Sequence, residues 1–276
     1  MLTHATQDQQ VVLRSYAEPG VACVTLNRPA SRNALSSALI GELTQAITEL
    51  GCDRSCSVII INANGPVFCS GHDLKELTDH RRDDDRGQAF FQRTMTACST
   101  MMQAIVTCPK PVIAAVQGMA TAAGCQLVAS ADLAIAAESA SFATPGVNIG
   151  LFCSTPMVAL SRNVPRKVAM EMLLLGEAMS AEQALASGLV NRAVPVEDVM
   201  ATALSFARRI AAKSQPTIAI GKAAFYRQIE KPLAQAYDDA TRVMVANMLA
   251  ADAHEGIGAF IDKRSPNWTS PNAIKG

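Results

Sequence analysis

Two short apolar runs constrain the fold of this chain more than any other feature. Residues 57–61 (SVIII) and 111–116 (PVIAAV) are each long enough for one strand and too short for a helix. Continuous runs of β-branched and small apolar residues are typical of strands that are buried on both faces, as in parallel sheets covered by helices. The sequence therefore predicts an α/β fold built around a buried sheet.

Turn residues and helical periodicity place further elements around these two strands. Residues 11–16 and 21–26 are β-like and flank the turn signal at 18–20 (EPG), so a hairpin is predicted. Apolar residues recur at helical spacing over 39–50, and a second helix is predicted over about 88–108. The front of the chain therefore alternates strands with helices.

The second half of the chain has a different pattern. From about Pro156 the sequence is almost wholly helical in its periodicity, and no low-complexity linker separates it from the front. We therefore predict a core domain over residues 1–200 and a C-terminal helical region over 201–276.

Composition excludes several classes of protein. Lys and Arg total 24 and Asp and Glu total 24 in 276 residues, so no basic surface for nucleic acid is expected. No run reaches the roughly 18 apolar residues of a membrane span, and the polar N-terminus lacks the apolar segment of a secretion signal. The eight cysteines are scattered and are predicted to be reduced, which fits a cytoplasmic protein. Without a second pair of ligands, Cys52 and Cys56 do not predict a metal site.

A glycine-containing turn follows the first buried strand within 68–77 (FCSGHDLKEL). Gly71 permits a tight turn with a close backbone approach, and Asp73 is suited to cap the helix that follows. The main-chain amide of His72 would then be free at a helix start, where N–H groups point at an anion.

Small residues follow the second buried strand, in 118–125 (GMATAAGC), and would let a ligand touch the backbone. The amide of Ala123 would open a helix there. Two free amides from two strand-to-helix turns make an oxyanion hole, a pair of donors that polarises a carbonyl. Because no Gly-x-Ser-x-Gly elbow of a hydrolase with a Ser-His-Asp triad occurs, a thioester carbonyl is the natural match.

These segments together resemble the crotonase (enoyl-CoA hydratase/isomerase) superfamily over about residues 11–268. The resemblance is carried, in the order of the family, by 24–29 (VTLNRP) with 33–35 (NAL), 68–74 (FCSGHDL), 118–127 (GMATAAGCQL), 142–145 (FATP) with Gly150, and 256–264 (GIGAFIDKR). It implies a spiral of ββα units that forms two nearly perpendicular sheets. It also implies a trimer assembled through the C-terminal helices, usually as a dimer of trimers.

The same resemblance implies an acyl-CoA ligand of fatty acid metabolism. The amides of His72 and Ala123 would hold the thioester oxygen, and coenzyme A would enter as part of the substrate, with no separate cofactor. The matching positions for binding coenzyme A are Ser70, Gly71 and Lys75, with Phe260 and Lys263 supplied by a neighbouring subunit.

The family pattern fails at two positions. Hydratases of this superfamily carry a glutamate after the Gly-Cys of the second turn and another after the Pro of the Phe-x-x-Pro segment, where this chain has Gln126 and Gly146. Adding water across a double bond needs one carboxylate to take a proton and one carboxyl to deliver it. Ordinary hydration should therefore be very slow, and isomerisation, which uses the second glutamate, is compromised as well.

Four alternatives remain for the function. The Gly-His-Asp sequence also resembles methylmalonyl-CoA decarboxylase, so a malonyl-type decarboxylase is one alternative, although Cys153 replaces the tyrosine expected there. Cys153 could act as a nucleophile or weak donor, but packing is the more frequent role of such a cysteine. The protein could also hydrolyse thioesters or act as a slow lyase or isomerase of the family. Finally, it could be a non-catalytic acyl-CoA-binding regulator.

Overall fold

Ten strands and eleven α-helices lie within residues 10–268, which this computed structural model describes. The strands are β1 (Val12–Glu18), β2 (Val21–Leu26), β3 (Val58–Ala63), β4 (Val67–Cys69), β5 (Val112–Val116), β6 (Met119–Thr121), β7 (Leu133–Ala137), β8 (Ser141–Ala143), β9 (Ala178–Ser180) and β10 (Arg192–Val194). The helices are α1 (Ser37–Cys52), α2 (Leu74–Asp79), α3 (Gln88–Thr107), α4 (Ala123–Ser130), α5 (Ser154–Leu160), α6 (Arg166–Leu175), α7 (Ala181–Ser187), α8 (Val199–Ala211), α9 (Gln215–Gln228), α10 (Leu233–Met248) and α11 (Ala251–Ile261).

The larger sheet has six strands in the order β1-β2-β3-β5-β7-β10. The β1–β2 pair is an antiparallel hairpin and the other pairs are parallel. Residues 58–61 of β3 and every residue of β5 are buried, and α8 packs across β2, β3, β5 and β7. The predicted hairpin, the two predicted buried strands and the α/β class are therefore confirmed.

The smaller sheet has four strands in the order β4-β6-β8-β9, of which β4, β6 and β8 run parallel. Cys69 pairs with Ala120, and Ala120 pairs with Phe142, so the three parallel strands are aligned in one rank. The carboxyl ends of these strands meet at one edge, which in open α/β sheets is where ligands bind. This edge positions the candidate site.

The prediction of an almost wholly helical chain after Pro156 is wrong in two places. β9 pairs antiparallel with β8, and β10 pairs parallel with β7. Each is only three residues long, which is too short for a periodic pattern, and each forms because an existing strand offers it main-chain donors and acceptors.

The boundary placed at residue 200 falls inside α8, which covers the larger sheet. The buried face of α8 consists of Val199, Ala203, Ala207 and Ala211, whose small side chains allow the helix to approach the strands closely. The helices that extend beyond this sheet are therefore α9, α10 and α11, and their role in oligomerisation stays a prediction.

A buried ionic network joins α9 to the core. Lys222 Nζ donates to Asp132 Oδ2 at 2.6 Å, and the hydroxyl of Tyr226 donates to Asp132 Oδ1 at 2.9 Å. Burial raises the pKa of Asp132 despite the opposing effect of Lys222. Removing one partner of such a pair leaves an unpaired buried charge, which is strongly destabilising, so this network fixes where α9 docks.

The outer surface of the C-terminal helices carries large exposed apolar side chains. Leu233, Leu249 and Phe260 are exposed by 75%, 83% and 85% in the single chain. Exposed apolar patches of this kind mark interaction surfaces, and assembly of a trimer through this surface stays a prediction. No helix among the described residues has the length and apolarity needed to cross a membrane.

Candidate functional site

Three turns leave the aligned carboxyl ends of β4, β6 and β8 and meet at one place. A Cβ built on Gly71, in the first turn, would lie 2.8 Å from the Cβ of Ala122 and 3.3 Å from the nitrogen of Ala123. The Ala122 amide donates to the oxygen of Ala143, at the start of the third turn, at 2.8 Å. The structure therefore brings the two predicted amide-bearing turns into contact.

The first turn fixes the direction of the His72 amide. Leu35 N donates to Gly71 O at 2.8 Å, and Asp73 N donates to Leu35 O at 3.1 Å, which makes a parallel bridge between Leu35 and His72. In this bridge Leu35 makes both hydrogen bonds, so the N–H and C=O groups of His72 point away from Leu35. Accordingly, the His72 amide donates none of the hydrogen bonds found among residues 10–268.

Asp73 joins this turn to the loop after β2. Its Oδ1 accepts hydrogen bonds from the amides of Lys75 and Glu76 at 3.1 and 3.3 Å, which caps α2 as predicted. Its Oδ2 accepts from Arg28 Nη2 at 3.0 Å. Burial acts to raise the pKa of Asp73, but the bonds from Arg28 and the α2 amides outweigh it, so the pKa lies below its ordinary value.

Arg28 and Asn33 support the first turn, a role that the sequence analysis did not predict. Arg28 also donates to the oxygen of Ala34 at 2.6 Å, and Asn33 Nδ2 donates to the oxygens of Asn64 and Val67 at 2.9 and 2.8 Å. The only signal for this role in the sequence is that both residues lie in segments that carry the family resemblance, 24–29 and 33–35. These bonds hold the segment before α1 against the strand that leads into the His72 turn.

The second turn opens α4 at Ala123, as predicted. Ala122 has φ 51° and ψ −118°, and the Ala123 amide donates to no acceptor in the described part of the chain. A Cβ on Gly124 would lie 2.2 Å from the oxygen of Cys69. Only glycine therefore lets the first turn of α4 sit directly on the end of β4, next to the His72 turn.

The two positions where the resemblance implies glutamates, Gln126 and Gly146, are both buried. Gln126 is 5% exposed, and its Oε1 has no hydrogen-bond partner among the described residues. A Cβ on Gly146 would lie 2.9 Å from the oxygen of Leu151 and 3.0 Å from Cys153 Sγ. The space next to Gly146 is therefore filled by the segment that follows it.

The imidazole of His72 is a poor proton acceptor in this setting. Burial lowers its pKa, against the opposing effects of Glu76 and the Leu35 backbone. Neither ring nitrogen meets hydrogen-bond geometry with any group in residues 10–268. The ring is therefore neutral at pH 7, which agrees with a role for the His72 main chain rather than its side chain.

Cys153 is built into the wall beside Gly146. The residue is 6% exposed, and burial raises the pKa of its thiol, although a hydrogen bond from the Gly146 amide opposes the shift. A thiol with a raised pKa is a weak nucleophile at neutral pH. All eight cysteines are free, and the described residues contain no cluster of three or more metal-ligating side chains.

The predicted contacts with coenzyme A fall into two groups. Ser70, Gly71 and Lys75 lie on the His72 turn and the first turn of α2, and the side chain of Lys75 is exposed. Phe260 lies in the last turn of α11 and Lys263 lies two residues beyond its end, and both are exposed. The first group is next to the two free amides, whereas the contribution of the second from a neighbouring copy stays a prediction.

Comparison with known proteins identifies relatives over nearly the whole chain. The model of the family described as enoyl-CoA hydratase/isomerase matches residues 16–271. "Enoyl-CoA hydratase domain-containing protein 3, mitochondrial" of Mus musculus is 49% identical over 252 residues, which cover 91% of this chain and 82% of the mouse protein. "Probable enoyl-CoA hydratase echA8" of Mycobacterium bovis is 35% identical over 250 residues, covering 90% and 94%.

Solved structures agree with this result. The crystal structure of human enoyl Coenzyme A hydratase domain-containing protein 3 superposes with a TM-score of 0.89 at 46% identity, covering 94% of this chain and all of that one. An enoyl-CoA hydratase of Mycobacterium smegmatis gives the same TM-score and identity, covering 94% and 99%. The resemblance drawn from the motifs, and the crotonase type of fold, are confirmed.

Proposed function

Because the chain belongs to the enoyl-CoA hydratase/isomerase family, we propose that it binds acyl-CoA thioesters and polarises their carbonyl with the amides of His72 and Ala123. The observation that carries the proposal is that the two amides lie in adjoining turns and that neither donates to an acceptor within the described chain. A buried donor without a partner costs free energy unless a ligand satisfies it.

The chemistry that this site favours begins at the carbon next to the thioester. Two donors aimed at the carbonyl oxygen stabilise the negative charge of an enolate, and each is worth about 2.7–4 kcal/mol in a transition state. The protein is then a lyase- or isomerase-type enzyme of acyl-CoA and fatty acid metabolism. Ordinary hydration remains very slow because an amide at Gln126 and a hydrogen at Gly146 transfer no protons.

A second candidate is binding without turnover. It is favoured by the filled space at Gly146, where Leu151 and Cys153 stand in the way of any longer side chain. A protein that holds the thioester but has no proton-transfer group next to it would act as an acyl-CoA sensor or regulator. Turnover of a panel of CoA thioesters distinguishes the two functions, since the regulator converts none of them.

The test of carbonyl polarisation does not depend on turnover. Butyryl-CoA labelled with ¹³C at the thioester carbonyl is bound to the protein, and its carbonyl stretching band is recorded by infrared difference spectroscopy. Donors at the oxygen weaken the C=O bond, so we expect the band to move to lower wavenumber than in water. Binding with the band unshifted would disprove the oxyanion hole, whereas absence of binding would disprove the acyl-CoA function.

Several further features belong to this proposal. The exposed apolar surface of α9–α11 would be covered in a trimer or a dimer of trimers, which would also bring Phe260 and Lys263 to a neighbouring site. Light scattering of the purified chain measures that assembly.

We propose no cofactor other than the coenzyme A of the substrate. A cytoplasmic location rests on the free cysteines, whereas the name of the mouse relative places that protein in mitochondria.

A further inference from the structure

Ala122, which precedes α4, has a backbone conformation that L-residues rarely adopt. Its φ is 51° and its ψ is −118°, which is the conformation of the first central residue of a type II′ turn and favours glycine. Arg32 also has a positive φ, of 53°, but its ψ of 34° lies in the ordinary left-handed region. A residue in such a sparsely populated region costs free energy and persists only where its surroundings enforce it, most often at functional sites.

Three contacts enforce this conformation. The Ala122 amide donates to the oxygen of Ala143 at 2.8 Å, which fixes it to the end of β8. The Ala122 oxygen accepts from the Gln126 amide at 3.0 Å, which is a hydrogen bond at the start of α4. On the third side, Gly124 lies so close to the end of β4 that a Cβ there would be 2.2 Å from the oxygen of Cys69. The peptide bond that follows Ala122, whose N–H is one of the two free amides, is therefore held in one orientation.

The methyl group of Ala122 lies between the two amide-bearing turns. The residue is half-buried and packs against the core. A Cβ built on Gly71 would lie 2.8 Å from the Ala122 Cβ, and a C–C bond adds about 1.5 Å, so the Gly71 Cα is at most about 4.3 Å from this methyl. That is within contact distance for apolar atoms. Because Gly71 directly precedes His72, the methyl limits how closely the two free amides can approach each other.

We propose that Ala122 is a positioning residue, whose methyl group sets the distance between the amides of His72 and Ala123 and whose strained backbone fixes the direction of the Ala123 N–H. The inference rests on the proposed function, because only a bound thioester oxygen needs both donors at once. Donors that are fixed before the ligand arrives stabilise its developing charge without a cost of reorganisation. A glycine would adopt the same φ without strain, but it would let the peptide rotate and the two turns close up. The alanine therefore destabilises the fold locally while it orders the site.

The variant Ala122→Gly of the full chain separates these two effects. The infrared band of bound, ¹³C-labelled butyryl-CoA should move back toward its position in water, because the two donors no longer keep one geometry. The equilibrium constant of unfolding, measured by chemical denaturation, should fall by at least about fivefold relative to a control without strain, because the strain is relieved. A residue that only filled space would lose stability and leave the band unchanged.

Ala250 provides the matched control. It is also a half-buried alanine that precedes a helix, α11, but its φ is −72° and its ψ is 147°, so its backbone is unstrained. Ala250→Gly makes the same change in the side chain and in the helix cap. It should leave the band of bound butyryl-CoA unchanged.

The inference is overturned if the folded Ala122→Gly protein binds butyryl-CoA with the band of the wild type, or if it is no more stable than Ala250→Gly. A band that is already unshifted in the wild type, or no binding of butyryl-CoA to the wild type, would instead overturn the proposed function, and the inference with it.

Discussion

The two halves of the candidate site differ in the polar groups that they offer to a ligand. The half that would hold a carbonyl has two free amides, a capped helix and an ion pair that locks the His72 turn. The half that would move protons has an amide at Gln126 and a filled space at Gly146. In the proposed function, the groups that would bind a thioester oxygen are therefore present, whereas the carboxylates that the family resemblance implies for proton transfer are not.

The largest effect is expected from a substitution that separates the two amide-bearing turns of the carbonyl half. Gly71 has φ +88°, and a Cβ there would lie 2.8 Å from the Cβ of Ala122, so Gly71→Ala must push the two turns apart. We expect the infrared shift of bound butyryl-CoA to disappear and any turnover to fall by about 10²- to 10³-fold, the effect of losing one oxyanion donor.

Gly188 provides the control for this variant. It has φ +85°, similar to Gly71, but a Cβ there would meet only the oxygen of Asn163 at 3.5 Å. Gly188→Ala should therefore show the backbone strain without the effect on the carbonyl band. An unchanged band in a folded Gly71→Ala protein would mean that the two amides do not act together.

The next effect tests whether the proton-transfer half is closed. Gly146→Ala places a Cβ 2.9 Å from the oxygen of Leu151, and the resulting overpacking should lower the free energy of unfolding by about 1–3 kcal/mol. Gly41→Ala in α1 has no atom within 4 Å of the new Cβ and should instead stabilise the helix, by about 0.5–1 kcal/mol. Chemical denaturation measures both.

An undiminished stability of Gly146→Ala would show that the segment with Leu151 and Cys153 yields easily, and that the space for an acid is open. The proton-transfer half would then have room for a catalytic side chain, and the contrast between the two halves would not hold. We also expect Gln126→Glu alone to leave crotonyl-CoA hydration at background, because the second acid is still missing.

A smaller effect concerns the ion pair that positions the His72 turn. Asp73→Asn retains a helix-capping side chain but loses the charge that pairs with Arg28, and should cost about 1 kcal/mol of stability. Because the folded-state pKa of Asp73 is lowered, this contribution is present above the ordinary value of 3.8 and is lost as the pH falls through the folded pKa. The stability difference between the wild type and the variant should therefore shrink below about pH 3.8.

Asp85 serves as the control for Asp73, since it accepts hydrogen bonds from the amides of Gly87 and Ala89 at 2.9 and 2.8 Å and also has a lowered pKa. Asp85→Asn should show a similar pH dependence. Only Asp73→Asn should also weaken the infrared shift of bound butyryl-CoA. Equal band shifts in the two variants would argue against a positioning role for Asp73.

The sequence predicts those parts of the site that depend on local chemistry. The Gly71 turn, the Asp73 cap and the helix start at Ala123 follow from glycine and capping preferences over a few residues. The role of Arg28 depends on a contact with a residue 45 positions away, and the place of the third turn depends on the register of three-residue strands. Neither leaves a periodic pattern, so the local sequence did not predict the strands of the smaller sheet or its supporting contacts, and only the family resemblance implied a second sheet.

The smallest effect is expected at Cys153, which separates packing from chemistry in the proton-transfer half. Burial raises the pKa of this thiol, which makes it a weak nucleophile. Cys153→Ala should cost about 1 kcal/mol of stability, which is typical of a single substitution. The infrared shift of bound butyryl-CoA should be retained. Any turnover should change less than threefold, which corresponds to about 0.6 kcal/mol. Cys125→Ala, at a residue that is 1% exposed and precedes Gln126, is the packing control. A tenfold loss at Cys153 alone would identify the thiol as a reacting group and give the proton-transfer half a residue that its missing carboxylates do not supply.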